Sequence, residues 1–342
     1  MCFKGKDIGI DLGTATVLVF VRGKGVVLNE PSVVAIDRNT GKTLAIGEEA
    51  RRMIGRTPGH ITAIRPLREG VIADFDITEK MLKHFIHKVC GANPLFKPRV
   101  MICVPSSITS VERRAVEDAA RNAGAKEWYL IEEPVASALG AGIDITKPEG
   151  SMVLDIGGGT TDVAVMSLGG IVISDSVRVG GDKFDEAMVR YVKKRYNMLI
   201  GERTAEEIKI KVGTVFPNGR NESMEVRGRD LVSGLPSSVT VSSMECLEAF
   251  AEPTNSIIAL VRTILERCPP ELSSDIVEKG IIMTGGGALL DGLDKLISEV
   301  TQVPCNLAED AVSCVARGTG RALENLDALK GSIDYSKRQR KS

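Results

Sequence analysis

The sequence predicts an α/β protein built as two matched halves around mixed central sheets. Three observations carry this expectation. Apolar runs of strand length alternate with amphipathic runs of helical spacing along the chain. An apolar strand ending in Asp, a Gly/Thr turn and a second apolar strand occur at residues 8–21 and again at 152–165, with Asp11 and Asp155 about 144 residues apart. A third glycine turn, Thr284-Gly285-Gly286-Gly287-Ala288, follows the apolar run Ile281-Ile282-Met283.

Taken in order, the first element is Ile8-Gly9-Ile10-Asp11-Leu12-Gly13-Thr14-Ala15-Thr16 running into Val17-Leu18-Val19-Phe20-Val21, a hairpin. Asp76-Ile77-Thr78-Glu79 has the form of a capping box ahead of Met81, Leu82, Phe85, Ile86 and Val89, an apolar face at helical spacing. Thr109 and Glu112 open a helix that Gly124 ends. The second hairpin is Met152-Val153-Leu154-Asp155-Ile156-Gly157-Gly158-Gly159-Thr160-Thr161-Asp162-Val163-Ala164-Val165. Thr204 and Glu207 open a further helix, and Pro253 ends or kinks the apolar run that starts at Met244. A helix begins near Asp291 after the third turn, and the basic tail Lys337-Arg338-Gln339-Arg340-Lys341 reads as disordered.

Composition narrows the function. The chain has 342 residues, enough for two cores, and is 43% hydrophobic and 26% charged, an ordinary globular balance. A formal net charge of −1 argues against nucleic acid as a partner, and 4% aromatics argue against base-stacking platforms. Seven scattered cysteines without a C-x-x-C pair read as reduced thiols, neither disulfide framework nor zinc site. The opening MCFKGKD lacks a secretory pattern, and no apolar run approaches the roughly 18 residues of a spanning helix. His84 and His87 stand three apart on one predicted helix without a recognisable third ligand, so they read as ordinary surface residues.

The glycine turns suit phosphate. Backbone N–H donors reach a phosphate at close range only where no side chain blocks them, and Thr14, Thr160 and Thr161 add hydroxyls. Asp11 and Asp155 would repel a bare phosphate, so each makes sense with Mg²⁺ between, held through water. A single such turn would read as an ordinary β-turn after a strand-end aspartate; two matched copies and a third turn point to a nucleotide. Other nucleotide motifs are missing. Gly41-Lys42-Thr43 ends like a P-loop, but Ile36 stands where its first glycine should be, and no G-x-G-x-x-G opens a helix after a strand.

The order of segments resembles the actin, sugar-kinase and heat-shock-chaperone superfamily. Its first phosphate hairpin corresponds to Asp11–Thr16, its first connecting helix follows Val104-Pro105-Ser106-Ser107-Ile108-Thr109, and its second phosphate hairpin corresponds to Asp155–Asp162. The adenosine motif corresponds to Thr284–Ala288, and the second connecting helix carries Ala316-Arg317-Gly318-Thr319-Gly320. Within that superfamily nearly the whole chain resembles MreB, the bacterial filament family that guides cell-wall growth. The resembling stretches include Leu28-Asn29-Glu30-Pro31-Ser32-Val33-Val34-Ala35, Pro66-Leu67-Arg68-Glu69-Gly70-Val71-Ile72-Ala73-Asp74-Phe75 and Ile131-Glu132-Glu133-Pro134. Val179-Gly180-Gly181-Asp182 and Leu199-Ile200-Gly201-Glu202-Arg203-Thr204-Ala205-Glu206 extend the match. Thr16 stands where the family usually has Asn, and Asp162 where Glu is usual.

The resemblance implies an actin-like duplicated fold, two α/β domains around an ATP cleft, each with a smaller insertion. Domain I would comprise residues 1–32, 68–144 and 316–342, with its insertion at 33–67; domain II would comprise 145–181 and 246–315, with its insertion at 182–245. It implies ATP contacts from Gly13, Thr14, Ala15 and Thr16, from Gly157, Gly158, Gly159 and Thr160, from Glu206, Glu207, Ile208 and Lys209, and from Gly285, Gly286, Gly287, Ala288 and Leu289. Glu133 would polarise the attacking water, with Thr161 helping to place it. As residues alone, Glu133 is an acid at a helix N-terminus and Glu206, Glu207 and Lys209 are a solvated helix face. Leu95-Phe96, between Pro94 and Pro98, would by resemblance dip into a membrane, with Lys97 and Arg99 toward anionic head groups; by residue type alone they would tuck onto the core. The expected partners are further copies of the chain in head-to-tail, paired antiparallel strands, the inner face of the cell membrane, and membrane proteins of the elongation machinery. The expected location is cytoplasmic and peripheral to that membrane, and the expected activity is slow ATP hydrolysis in rod-shape maintenance. The rivals are a sugar- or acetate-type kinase and a cell-division or plasmid-segregating actin homologue.

Overall fold

The computed structural model describes residues 6–91, 97–106, 108–326, 329 and 333–337. Leu95 and Phe96 therefore lie outside the described residues, as do Cys2 and Phe3. The chain opens with the meander β1 (Asp7–Leu12), β2 (Thr16–Val21) and β3 (Gly25–Pro31), in which Asp11 pairs with Leu18 and Leu12 with Val17. Val17, Leu18 and Val19 are buried in succession, as expected for an apolar run covered on both faces of a sheet. The three-stranded sheet of β4 (Val34–Asp37), β5 (Thr43–Ile46) and β6 (Ile61–Ile64) follows, with α1 (Glu48–Arg51) closing a small core of Val33, Ala35 and Ala50. Then β7 (Leu67–Arg68) and β8 (Val71–Ile72) form a tight turn in which Glu69 and Gly70 both take positive φ.

Helix α2 (Phe75–Cys90) starts two residues earlier than its sequence suggests. The cap is Asp74, whose carboxylate accepts from Ile77 N at 3.1 Å, and not Asp76. Its expected face is buried: Met81, Leu82, Phe85 and Ile86 lie in the first core. β9 (Arg99–Val104) runs parallel to β1 and to β10 (Glu127–Glu132). Between them α3 (Ser110–Asn122) has the full capping box of Thr109 and Glu112, and Gly124 beyond its end takes φ +98°. α4 (Glu133–Ala141) leads to the second half.

The second half repeats the first. β11 (Ser151–Ile156), β12 (Thr161–Ser167) and β13 (Gly170–Val177) form a meander like β1–β3, with Asp155 opposite Asp162. α5 (Gly181–Tyr196), β14 (Met198–Leu199) and α6 (Glu202–Lys211) come next. α6 opens at Gly201 rather than at Thr204, which lies within its first turn. β15 (Ser223–Asp230) and β16 (Pro236–Ser242) complete a three-stranded sheet with β14. α7 (Ser243–Ala249) and α8 (Ala251–Arg267) are separated at Phe250, and Pro253 sits in the first turn of α8, where its missing N–H breaks no helical bond. α9 (Pro270–Lys279), β17 (Ile281–Thr284), α10 (Leu293–Thr301), β18 (Cys305–Leu307), α11 (Cys314–Glu324) and β19 (Ile333–Lys337) end the described chain.

The two large sheets have the orders β19-β10-β9-β1-β2-β3 and β13-β12-β11-β17-β18. In both, the aspartate strand has an antiparallel neighbour on one side and a parallel one on the other: β2 and β9 for β1, β12 and β17 for β11. Lys337, expected in a disordered tail, is the last residue of β19, in register with Glu127. Between the sheets α4, lying on β11 and β12, crosses α11, lying on β1, β2 and β9. A Cβ on Gly140 would stand 1.8 Å from Cys314 O, and one on Gly318 would stand 1.7 Å from Ala136 O, so the two helices meet backbone against backbone. This is the actin-like architecture the sequence predicted.

Candidate functional site

The aspartates of β1 and β11 end their strands at the same cleft. It encloses a cavity of about 420 Å³ between the two Gly/Thr turns. The turns nearly touch: a Cβ on Gly158 would lie 2.6 Å from Ala15 Cβ, and one on Gly159 2.7 Å from Thr14 Oγ1. Gly70 N donates to Thr14 Oγ1 at 3.1 Å, so the β7–β8 turn closes one end. The far hairpin is braced by α5: Gly181 N and Asp182 N donate to Gly157 O and Gly158 O at 3.0 and 2.8 Å. The N-terminal amides of that helix are thus engaged by the hairpin instead of facing the cavity.

Most of the sequence-predicted residues converge on this wall. Asp11, Gly13, Thr14, Ala15, Thr16, Glu133, Asp155, Gly157, Gly158, Gly159 and Thr160 line it, as do Glu206, Lys209, Gly285, Gly286, Gly287 and Leu289. Four do not. The Thr161 hydroxyl donates to Val179 O at 2.7 Å and the residue is fully buried, so its side chain secures the start of β12 away from the cavity. Ile208 and Ala288 belong to the second core. Glu207 lies on the solvent side of α6, paired with Arg203 and Lys211. Lys209 reaches the cavity edge, but its ammonium is held by Asp185 at 2.9 Å and Gly181 O at 3.0 Å, so it stiffens the α5 brace.

Several further side chains at the cleft were not singled out in the sequence. Arg65 pairs with Asp182 at 2.8 Å and Arg51 with Glu206 at 2.7 Å, both across the cleft mouth, and Lys183 pairs with Glu69 at 3.2 Å. Arg220 caps α6 by donating to Ile210 O and Lys211 O, each at 2.7 Å. Its backbone N–H, with the Thr214 hydroxyl, fixes Asp291 on the same wall. Ser137 donates to Asp155 Oδ2 at 2.6 Å, and the Cys103 thiol lies 3.4 Å from Asp11 Oδ1. Ser137 stands one helical turn after Glu133, a spacing of four that could have pointed to it.

Three buried carboxyls, Asp11, Asp155 and Glu133, line the cleft, and a fourth, Asp162, lies opposite Asp155 on β12. Burial, then the charge of Asp155, pushes Asp11 up to about 7. Burial pushes Asp155 up to about 6, against the Ser137 bond. Burial, then the charge of Asp155, pushes Asp162 up to about 7, although Ser106 N donates to it at 3.2 Å. Burial holds Glu133 well above the carboxylate range, reinforced by Asp162, Asp155 and Asp11. Carboxylates gathered out of water without a cation are costly, and a divalent cation beside Asp11 and Asp155 is the compensation this oxygen-donor set fits. Among the described residues no three acidic, His or Cys side chains converge to hold a metal by themselves.

Comparison with known proteins bears on this geometry. The family model described as MreB/Mbl protein matches residues 5–331. The chain is 59% identical over 324 residues to the cell shape-determining protein Mbl of Bacillus subtilis (strain 168), covering 95% of this chain and 97% of the relative. It is 54% identical over 333 residues to the cell shape-determining protein MreB of Escherichia coli (strain K12), covering 96% of each. Among solved structures, that of MreB 5 of Spiroplasma citri bound to AMPPNP is similar at a TM-score of 0.90 and 40% identity, covering 94% of this chain and 97% of the other. The duplicated sheets, the paired glycine hairpins and a match over nearly the whole length lead to one conclusion: the chain belongs to the MreB/Mbl family.

Proposed function

We propose that the protein is an ATP-dependent filament protein that works at the inner face of the cell membrane and maintains rod shape by organising cell-wall synthesis. The observation that carries the reading is the contact of the two hairpins, Gly158 against Ala15, above buried carboxyls from both halves. A triphosphate bridging that contact touches both halves, so binding favours one closed arrangement of the molecule. If the end surfaces span both halves, assembly is coupled to nucleotide, and linkage makes assembly tighten nucleotide binding by the same factor. The MreB 5 structure with AMPPNP and the cell shape-determining relatives support this.

The adenosine would lie among Glu206, Ile210, Arg220 and the Gly285–Gly287 turn, and the phosphates between the hairpins. Asp11 and Asp155 would hold magnesium through water, which supplies charge neutralisation to the phosphates. Neutralising these two aspartates removes two of the three charges that disfavour ionised Glu133, and an ionised Glu133 can orient a water for slow hydrolysis. Leu95 and Phe96 would anchor the filament in lipid, and paired antiparallel strands would repeat that anchor along one face. Among the described residues no helix is long and apolar enough to cross a membrane.

The test is pelleting and negative-stain microscopy with ATP, with ADP and without nucleotide, in solution and on anionic lipid. Filaments that need ATP and align on lipid are the expected result. A protein that stays monomeric with ATP on lipid across micromolar concentrations, or that phosphorylates a sugar or acetate, would overturn the reading in favour of a kinase.

A further inference from the structure

Asp11 and Asp155 occupy equivalent places in the two halves, yet they are held differently. The Cys103 thiol, a weak donor, lies 3.4 Å from Asp11 Oδ1. Asp155 receives a full hydroxyl bond, 2.6 Å from Ser137 Oγ to Oδ2. Ser137 is fully buried on α4, one turn beyond Glu133, and the same helix rests on β11, the strand that carries Asp155. With Oδ2 fixed toward α4, Oδ1 lies on the opposite side: a Cβ on Gly285 would stand 2.5 Å from it, and Gly285 is part of the cavity wall.

We propose that Ser137 is a positioning residue for the nucleotide-bound cation: its hydroxyl occupies one oxygen of Asp155 and turns the other toward the water and phosphate of the cleft. The inference rests on the reading of the cleft as an ATP–magnesium site. A carboxylate with both oxygens free can rotate about its last bond and share its charge over two directions; one oxygen already bonded leaves a single orientation. The same bond ties Asp155 to the helix that carries Glu133, so the cation side and the water side of the cleft are registered by one turn of α4. Loss of a partner behind a metal-facing ligand typically costs about 10–100-fold in metal affinity, and a cation held through water places this site at the lower end.

The experiment is a MgCl2 titration of binding of a fluorescent ATP analogue to the full chain, with a parallel affinity in EDTA. Ser137→Ala is expected to raise the half-saturating magnesium concentration about 10-fold. Its affinity in EDTA should stay near wild type, and loss of a bond to a buried carboxylate should lower its melting temperature without nucleotide by a few degrees. Ser137→Thr, which keeps the hydroxyl, should return the magnesium curve toward wild type; if the added methyl lowers its melting temperature, Ser137→Cys serves as a weak-donor substitute with an intermediate curve. Superimposed magnesium curves for wild type and Ser137→Ala would overturn the proposal, as would an equal loss with and without magnesium, which marks a merely structural role. A wild type that binds no nucleotide, or binds it without regard to magnesium, would instead overturn the underlying ATP–magnesium reading.

Discussion

The Arg65 guanidinium lies 2.8 Å from the Asp182 carboxylate, joining the small sheet of the first half to the first turn of α5 in the second. Arg51–Glu206 and Lys183–Glu69 repeat the arrangement along the same mouth. Each pair is partly exposed and worth at most about 1 kcal/mol, so their effect belongs to the rate of opening more than to folding. Arg65→Met should speed nucleotide release several-fold while the melting temperature of the empty protein moves little. Stopped-flow displacement of a fluorescent nucleotide measures this, and release that is insensitive to both the mutation and added salt would deny the pairs that role.

Glu133→Ala should slow phosphate release by about 10²-fold or more and leave ATP affinity within a few-fold, as for loss of a water-orienting group. Because the Thr161 hydroxyl is engaged by Val179 O, Thr161→Val should cost stability more than turnover. Single-turnover hydrolysis separates the two variants. Equal kinetic losses would place Thr161 in the chemistry after all.

Gly158→Val should weaken ATP binding by about 100-fold or more, since a branched side chain would drive into Ala15 and into the phosphate path. Calorimetry with ATP reads the loss directly. Retained affinity would mean that the nucleotide does not pass between the hairpins.

Asp7 sets a pH dependence. Burial alone would raise its carboxyl, but Arg99, bonded at 2.8 and 2.6 Å, and Arg22 outweigh it and hold Asp7 below its ordinary 3.8. A depressed carboxyl adds stability above its unfolded-state value and loses it as pH falls through the folded one. Asp7→Asn should therefore lower the unfolding free energy at pH 7 and pH 5 by about 1 kcal/mol after solvent screening, read from urea melts. The gap should close progressively below pH 3.8. A gap that stayed constant into acid would assign the effect to packing of β1.

Replacing Leu95 and Phe96 by Ser should release the protein from anionic liposomes, as each large apolar side chain contributes about 1.5–3 kcal/mol when buried. Undiminished co-sedimentation that disappears in high salt would point to the basic tail instead.

What could be read in the sequence was local. The hairpins, the third glycine turn and the Thr109 cap each depend on a few consecutive residues, and all lie where expected. The start of α2 was misplaced because Asp74 and Asp76 are both good caps, and only the backbone decides that Asp74 stays extended while the helix has begun at Phe75. The pairs at the cleft mouth were invisible, since Arg65 and Asp182 are 117 residues apart and Arg51 and Glu206 are 155 apart. The bond that engages the Thr161 hydroxyl was equally hidden, since its partner carbonyl, Val179 O, stands 18 residues on, just past the end of β13.

Where Gly140 and Gly318 bring α4 and α11 into backbone contact, the two halves share a bearing. Ordinary helix contacts have a cushion of side chains that can change rotamer as the helices shift. This one has none at its centre, so nothing there can absorb a change in spacing. Sliding along the contact would drive backbone into backbone, whereas rotation about it would not, and a small rotation there would become a larger displacement at the tips. A Cβ at either glycine would act as a shim, spoiling the alignment of the two blades without touching any residue that meets a nucleotide.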